Sequence, residues 1–190
     1  MNTPHAAVPL DFESYRAYLL VLTRTQDHVA GEDASDLVQK TLLAAHMQQH
    51  QFRGQTPGEL AAWLKQILRR QLIDAFRHSQ RVRRDANREI ALEAAIDGSF
   101  SRAEGWAVVQ STPSQHVSRE EELVRLSEAI AQLPEQQREA IILHHLQGLK
   151  LADVAAQLQR TEASIAGLLH RGMRQLRQML DQDHASDSHA

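Results

Sequence analysis

The sequence predicts an all-α chain of two small helical domains joined by a flexible linker, and three observations predict it. Apolar residues recur at spacings of three and four through most of the 190 residues, the pattern of amphipathic helices. Eight Gly and five Pro supply too little turn chemistry for an all-β fold. A polar, acidic stretch over residues 85–117 is too long for an ordinary connection inside one domain. The expected organisation is therefore a first unit over residues 11–84, a linker over 85–117, a second unit over 118–180 and a disordered tail over 181–190.

The first helix is expected over residues 11–30, where Phe12, Tyr15, Leu19 and Leu22 share a face, with Gly31 as its stop. Asp33 is a good N-cap for a second helix, and Asp36 adds negative charge to its first turn, where the helix dipole favours it. That helix carries Leu37, Val38, Thr41, Leu42 and Ala45 to about residue 49. A loop with two glycines and a proline follows at residues 52–58 and breaks both flanking helices. The third helix, about residues 59–78, repeats Leu60, Leu64, Leu68, Leu72 and Phe76 every four residues, and its basic residues fall largely off that stripe.

Beyond it the periodicity is weak, from Ile90 to Ile96, and residues 98–101 read as a break. Trp106 is expected to dock on a domain or on a partner. In the second unit Leu123, Leu126, Ile130 and Leu133 form a stripe, and Pro134 fits the first position of the next helix, over 135–146. Gly148 then acts as a stop. Two short helices, about 151–158 and 161–179, meet at Gln159 and Arg160, with Thr161 as the cap of the second. A tight helix pair with polar residues opening the second helix and bases later in it is a helix-turn-helix pattern; by pattern alone, structural packing is the favoured reading and DNA reading the second.

Composition narrows the chemistry. With no cysteine there is no disulfide scaffold, thiolate zinc site or cysteine nucleophile. No apolar run approaches the roughly 18 residues of a membrane span. The start, MNTPHAAVPLDFESY, has neither a basic nor an apolar signal region, so a cytoplasmic location is expected. His46 and His50 stand four apart on a helix but lack companions for a closed metal site, and no motif supplies a nucleophile or a phosphate loop. No catalytic residue, metal or cofactor is expected.

The net charge of −3 conceals a segregation. Residues 63–84 hold seven basic residues (Lys65, Arg69, Arg70, Arg77, Arg81, Arg83, Arg84) against Asp74 alone, a net of +6. Residues 85–122 swing to −5, and residues 161–180 return to +2. Because charges beyond roughly 10 Å are screened at ordinary salt, local blocks matter more than the sum, and an acidic chain is not excluded from binding DNA.

Two sets of residues carry a family resemblance. Asp33-Ala34-Ser35-Asp36-Leu37-Val38-Gln39, Phe52-Arg53-Gly54, Ala62-Trp63-Leu64 and Ile73-Asp74 with Arg77 resemble region 2 of extracytoplasmic-function (ECF) sigma factors of the sigma-70 family. Leu133-Pro134-Glu135-Gln136-Gln137-Arg138-Glu139, Gly148-Leu149, Ala152-Asp153-Val154-Ala155 and Leu168-Leu169-His170-Arg171-Gly172 with Leu176-Arg177 resemble region 4. The resemblance implies a dissociable initiation subunit that binds core RNA polymerase and directs it to promoters. Asp33, Asp36, Leu37 and Gln39 would then dock on the clamp helices of β′, and the second unit would touch the β flap. Phe52, Arg53, Gly54, Lys65, Arg69, Arg70, Arg77 and Arg81 would hold the −10 element as its strands separate. Arg160, Thr161, Glu162, Ser164, Arg171, Arg174 and Arg177 would meet the −35 element. An anti-sigma factor is a further candidate partner, and membrane insertion is not expected.

The chain departs from the family pattern at Gln159, where a glycine is usual, and at Ala166 and Gly167, where a basic residue and a serine are usual. Gly167, inside a helix, predicts a packing reason for its presence. The rival readings are a stand-alone helix-turn-helix regulator and a helical anti-sigma or adaptor protein without DNA binding. Neither needs a basic third helix directly after a docking helix.

Overall fold

The computed structural model describes residues 10–26, 33–79, 86–110 and 118–187, and these are helical with no strand among them. Asp11 caps a 3-10 turn, Phe12–Tyr15, that runs into α1, Arg16–Arg24. This helix ends before Gly31 because hydroxyls and an amide take its last carbonyls: Thr23 bonds back to Leu19, while Thr25 and Gln26 both bond back to Leu22. The second helix, α2, is Ala34–Gln48, and the Asp33 carboxylate accepts from the Ser35 N–H at 2.8 Å, the predicted cap.

α3, Pro57–Ser79, starts two residues earlier than expected. Thr56 and Glu59 form a capping box, Thr56 accepting from the Glu59 N–H while Glu59 accepts from the Gln55 and Thr56 N–H groups, and Pro57 needs no amide partner in that turn. Leu60, Leu64, Leu68 and Leu72 are all fully buried, as their spacing predicted.

The described part of the 85–117 connection corrects the expectation of a flexible linker. Residues Ala86–Gln110 form α4, which runs through Gly98 without a break. Its buried stripe is Leu92, Ile96, Phe100, Ala103 and Ala107, while Ile90, at the head of the expected stripe, is exposed. Gly98 sits on the open side, where a Cβ would meet nothing within 4 Å, so its helical cost of about 1 kcal/mol is outweighed by the stripe on either side.

α5, Arg119–Gln132, begins at the Ser118 cap and packs on α1, α3 and α4, so its buried face joins the two halves into a continuous core. Pro134 is the N-cap of α6, Glu135–Ile141, one position before the expected one. α6 passes into a π turn, Ile142–Leu146, and the chain reverses at Gly148, whose φ of +82° suits a residue without Cβ. α7, Leu151–Gln157, and α8, Glu162–Asp187, complete the helix pair. α8 extends to residue 187, so residues 181–187 are helical and not the disordered tail expected.

Candidate nucleic-acid and polymerase interfaces

The loop over residues 52–58 is built on aromatic packing. Phe12, Trp63 and Phe52 follow one another at ring separations of 5.9 and 5.5 Å, which pins the loop before α3 to the first unit. Phe52 is therefore a half-buried anchor, and Gly54 is required beside it because a Cβ there would lie 2.5 Å from the Phe52 ring. Arg53 is the exposed member of the three, its guanidinium held by the His50 carbonyl at 2.7 Å.

The basic residues of α3 divide into two groups. Arg70 and Arg77 are exposed, Arg77 with a weak 3.4 Å pair to Asp74. Lys65 and Arg69 are not free. The Lys65 side chain is only 13% exposed and pairs with Glu104 of α4 and Glu120 of α5. Burial works against its charge, but the bonds and charges of Glu104 and Glu120 outweigh it and hold the ammonium above the ordinary lysine range. Arg69 spans two acids of α4, at 2.8 Å from Asp97 and 2.9 Å from Glu93, and the hydrogen bonds to Asp97 and then Glu93 keep its guanidinium firmly charged. Arg81, Arg83 and Arg84 lie outside the described residues.

The start of α3 is also occupied. In an ordinary capping box the glutamate three residues past the serine cap reaches back to its own helix. Glu121 instead crosses to α3 and accepts from the Gly58 N–H at 2.8 Å. Gly58 is buried against Ser118 and Glu121 at a distance no Cβ would tolerate. Trp106 docks within the chain, stacked on His145 of the π turn at 5.0 Å, and Arg102 bonds the Gln147 carbonyl at 2.5 Å. Burial, and then the charge of His144, lower the His145 pKa, so the stacked ring is the neutral form at pH 7.

The helix pair of the second unit is arranged differently. α7 ends in a Schellman motif, with Arg160 N–H bonded to Ala155 O at 2.9 Å and Gln159 N–H to Ala156 O at 3.3 Å. Gln159 stands at the left-handed position with φ +53°, so the backbone that a glycine would adopt freely is kept with a side chain attached. Thr161 Oγ1 accepts from Ser164 N–H at 3.2 Å, the predicted cap. Arg160, Thr161, Glu162, Arg171, Arg174 and Arg177 are exposed and Ser164 is half-buried. The packing reason expected for Gly167 is not found: a Cβ there would meet only the tip of the exposed Arg171 side chain, at 3.3 Å, which can swing aside.

At the start of α2, Asp33, Asp36 and Gln39 are all exposed, whereas Leu37 is 1% exposed and belongs to the core. The apolar residues that α2 turns outward are Leu43, 63% exposed, and Met47, 72% exposed, which continue a face from Asp36 and Lys40. The spacing 36, 40, 43, 47 was present in the sequence, but it was eclipsed by the stronger core stripe. Among the described residues no group of three or more His, Asp or Glu side chains is arranged to hold a metal ion, and no helix is long and apolar enough to cross a membrane.

Comparison with known proteins decides the family. Residues 14–82 match the family model for sigma-70 region 2, and residues 123–176 match that for sigma-70 region 4. The ECF RNA polymerase sigma factor EcfG of Rhodopseudomonas palustris is 33% identical over 183 residues, covering 96% of this chain and 85% of that protein. The chain belongs to the ECF sigma factor family. The ECF sigma factor SigF of Caulobacter vibrioides is 30% identical over 144 residues, covering 76% of this chain and 69% of that protein. Among solved structures, the sigma factor RpoE of Bartonella quintana, crystallised with the anti-sigma factor NepR, is 25% identical over 90% of this chain and 91% of that chain, with a TM-score of 0.35. As an ECF sigma factor, the protein binds core RNA polymerase and directs it to promoter DNA. Members of this family are transcription factors and not enzymes. The two rival readings, a stand-alone regulator and a DNA-free adaptor, are not favoured by a chain that carries both sigma-70 regions in order.

Proposed function

We propose that this ECF sigma factor works in the cytoplasm by dividing promoter recognition between three surfaces. The exposed face of α2, with Asp33, Asp36 and Gln39 at its start and Leu43 and Met47 further along, docks on the β′ clamp helices. Leu37 supports that face from the core and makes no contact of its own. Arg53 and the exposed cations Arg70 and Arg77 of α3 hold the −10 strands, with Phe52 and Gly54 shaping the loop that takes an unstacked base. Lys65 and Arg69 join them when their acidic partners leave, and Arg81 extends the same basic run in the sequence. The start of α8, from Arg160 to Ser164, reads the −35 element in the major groove, with Arg171, Arg174 and Arg177 on its phosphates, while the second unit touches the β flap.

The observation that carries this reading is the order of surfaces. A docking helix with outward apolar residues is followed directly by a basic helix, and a separate exposed helix start follows in the second unit. Run-off transcription with core polymerase tests it. The wild-type chain is expected to produce discrete start sites from a genomic promoter pool. The double variant Arg70→Gln, Arg77→Gln is expected to lower initiation at least about tenfold while binding core polymerase as tightly as wild type, because strand capture rests on backbone cations. Full activity of that variant would remove α3 from the strand-holding role.

A further inference from the structure

The basic segment 63–84 and the acidic segment 85–122 are neighbours in the chain, and the fold brings them face to face. Along α3, the Gly58 N–H donates to Glu121, Lys65 to Glu104 and Glu120, and Arg69 to Glu93 and Asp97. With a rise of about 1.5 Å per residue, the three points are spaced about 10 and 6 Å apart along the helix. The donors are a backbone amide in a helix N-terminal turn, an ammonium and a guanidinium fork. These are the groups that take phosphate oxygens in nucleic-acid complexes. Here every one of them is met by a carboxylate from α4 or the first turn of α5.

We propose that α4 and the first turn of α5 act as an internal substitute for the promoter strand, covering the α3 face until α4 is lifted away. The proposal rests on α3 being the strand-holding helix. Contacts that use no α3 charge also hold the cover, namely its buried stripe packed on α5, the Trp106–His145 stack and the Arg102–Gln147 bond, so α4 is anchored to the second unit while its acids lie on the first. A chain folded this way rejects single-stranded DNA on its own. It accepts the strand once polymerase has separated the two units, which restricts DNA capture to the holoenzyme.

The test uses the full chain without polymerase and a fluorescein-labelled single-stranded DNA oligonucleotide of mixed sequence, read by anisotropy. The triple variant Glu93→Gln, Asp97→Asn, Glu104→Gln removes three acids of the cover. The control, Glu135→Gln, Glu139→Gln, Asp153→Asn, removes the same charge from exposed acids elsewhere. The cover variant is expected to bind at least about tenfold more tightly than wild type, and the control less than about twofold more tightly, since distant charges are screened. Equal gains in both variants, or a gain in neither, would overturn the proposal. Should the cover variant fold poorly, wild-type hydrogen exchange decides: core polymerase together with the oligonucleotide is expected to speed exchange along α4, and exchange unchanged in that complex would overturn the proposal. Run-off transcription by the wild-type chain separates the two levels. Specific initiation together with a failed binding test removes the internal substitute alone, whereas absence of initiation removes the strand-holding role on which it rests.

Discussion

α3 and α8 both present cations, and the fold treats them in opposite ways. On α3, Lys65 and Arg69 are partly buried under acids of α4 and α5, and the first turn gives an amide to Glu121. On α8, Arg171, Arg174 and Arg177 are exposed. The difference follows from sequence order. α3 is followed by the most acidic stretch of the chain, net −5 over residues 85–122, whereas α8 is preceded by a neutral one over residues 123–160. On the proposed division of roles, a helix that grips melted DNA gains from being unavailable to nucleic acid in general, whereas one that reads a short duplex element discriminates by its own side chains and needs no cover.

Substitutions can sharpen that contrast, beginning with the largest effect. Glu104→Gln leaves the largely buried Lys65 ammonium with Glu120 alone, and removing a partner from a desolvated charge is expected to cost about 1–3 kcal/mol in urea unfolding. Arg174→Gln on the open helix is expected to stay within about 0.5 kcal/mol of wild type. Equal costs would mean that the two faces are not differently built.

Gln159→Gly comes next. The left-handed φ of +53° strains a residue with a Cβ, so glycine is expected to stabilise the chain by about 1 kcal/mol in thermal or urea unfolding, with no change in duplex DNA binding. A loss of stability would show that the Gln159 side chain has a positive role in the turn.

The smallest effect is one of pH. Hydrogen bonds from the Gln55 and Thr56 amides lower the Glu59 pKa below its ordinary 4.5. Its contribution to α3 is therefore fully present above pH 4.5 and is lost as pH falls through the depressed value. Glu59→Gln is expected to flatten the acid limb of the stability profile slightly and to leave stability near neutrality little changed, since glutamine can still accept one of the bonds. An acid limb identical to wild type would place the titrating group elsewhere.

Much of this was legible in the residues. The Asp33 cap, the four-residue leucine repeat of α3 and the Thr161 cap each depend on local chemistry, and each forms as its spacing predicted. α4 was not legible, because two of its five buried positions are alanines and its open side carries Ile90, Val109 and two glycines, so polar and apolar faces hardly contrast. The charge blocks were visible, but their pairing was not. Nothing in a linear pattern says that Glu121 will leave its own capping box for Gly58, or that Asp97 and Glu93 will straddle Arg69. Exposure of Leu43 and Met47 was equally hidden, since a surface leucine and a core leucine read alike until the neighbours are placed.

A distance across the covered face tests the contrast most directly. The chain has no cysteine, so Gln66→Cys on α3 and Ser101→Cys on α4, both at exposed positions, accept spin labels without background. Electron–electron resonance on the free chain is expected to give a single short distance. In the open complex with core polymerase and promoter DNA the distance should lengthen as α4 leaves α3. An unchanged distance in a transcriptionally active complex would contradict the account, because the strand would then have been captured with its place still filled.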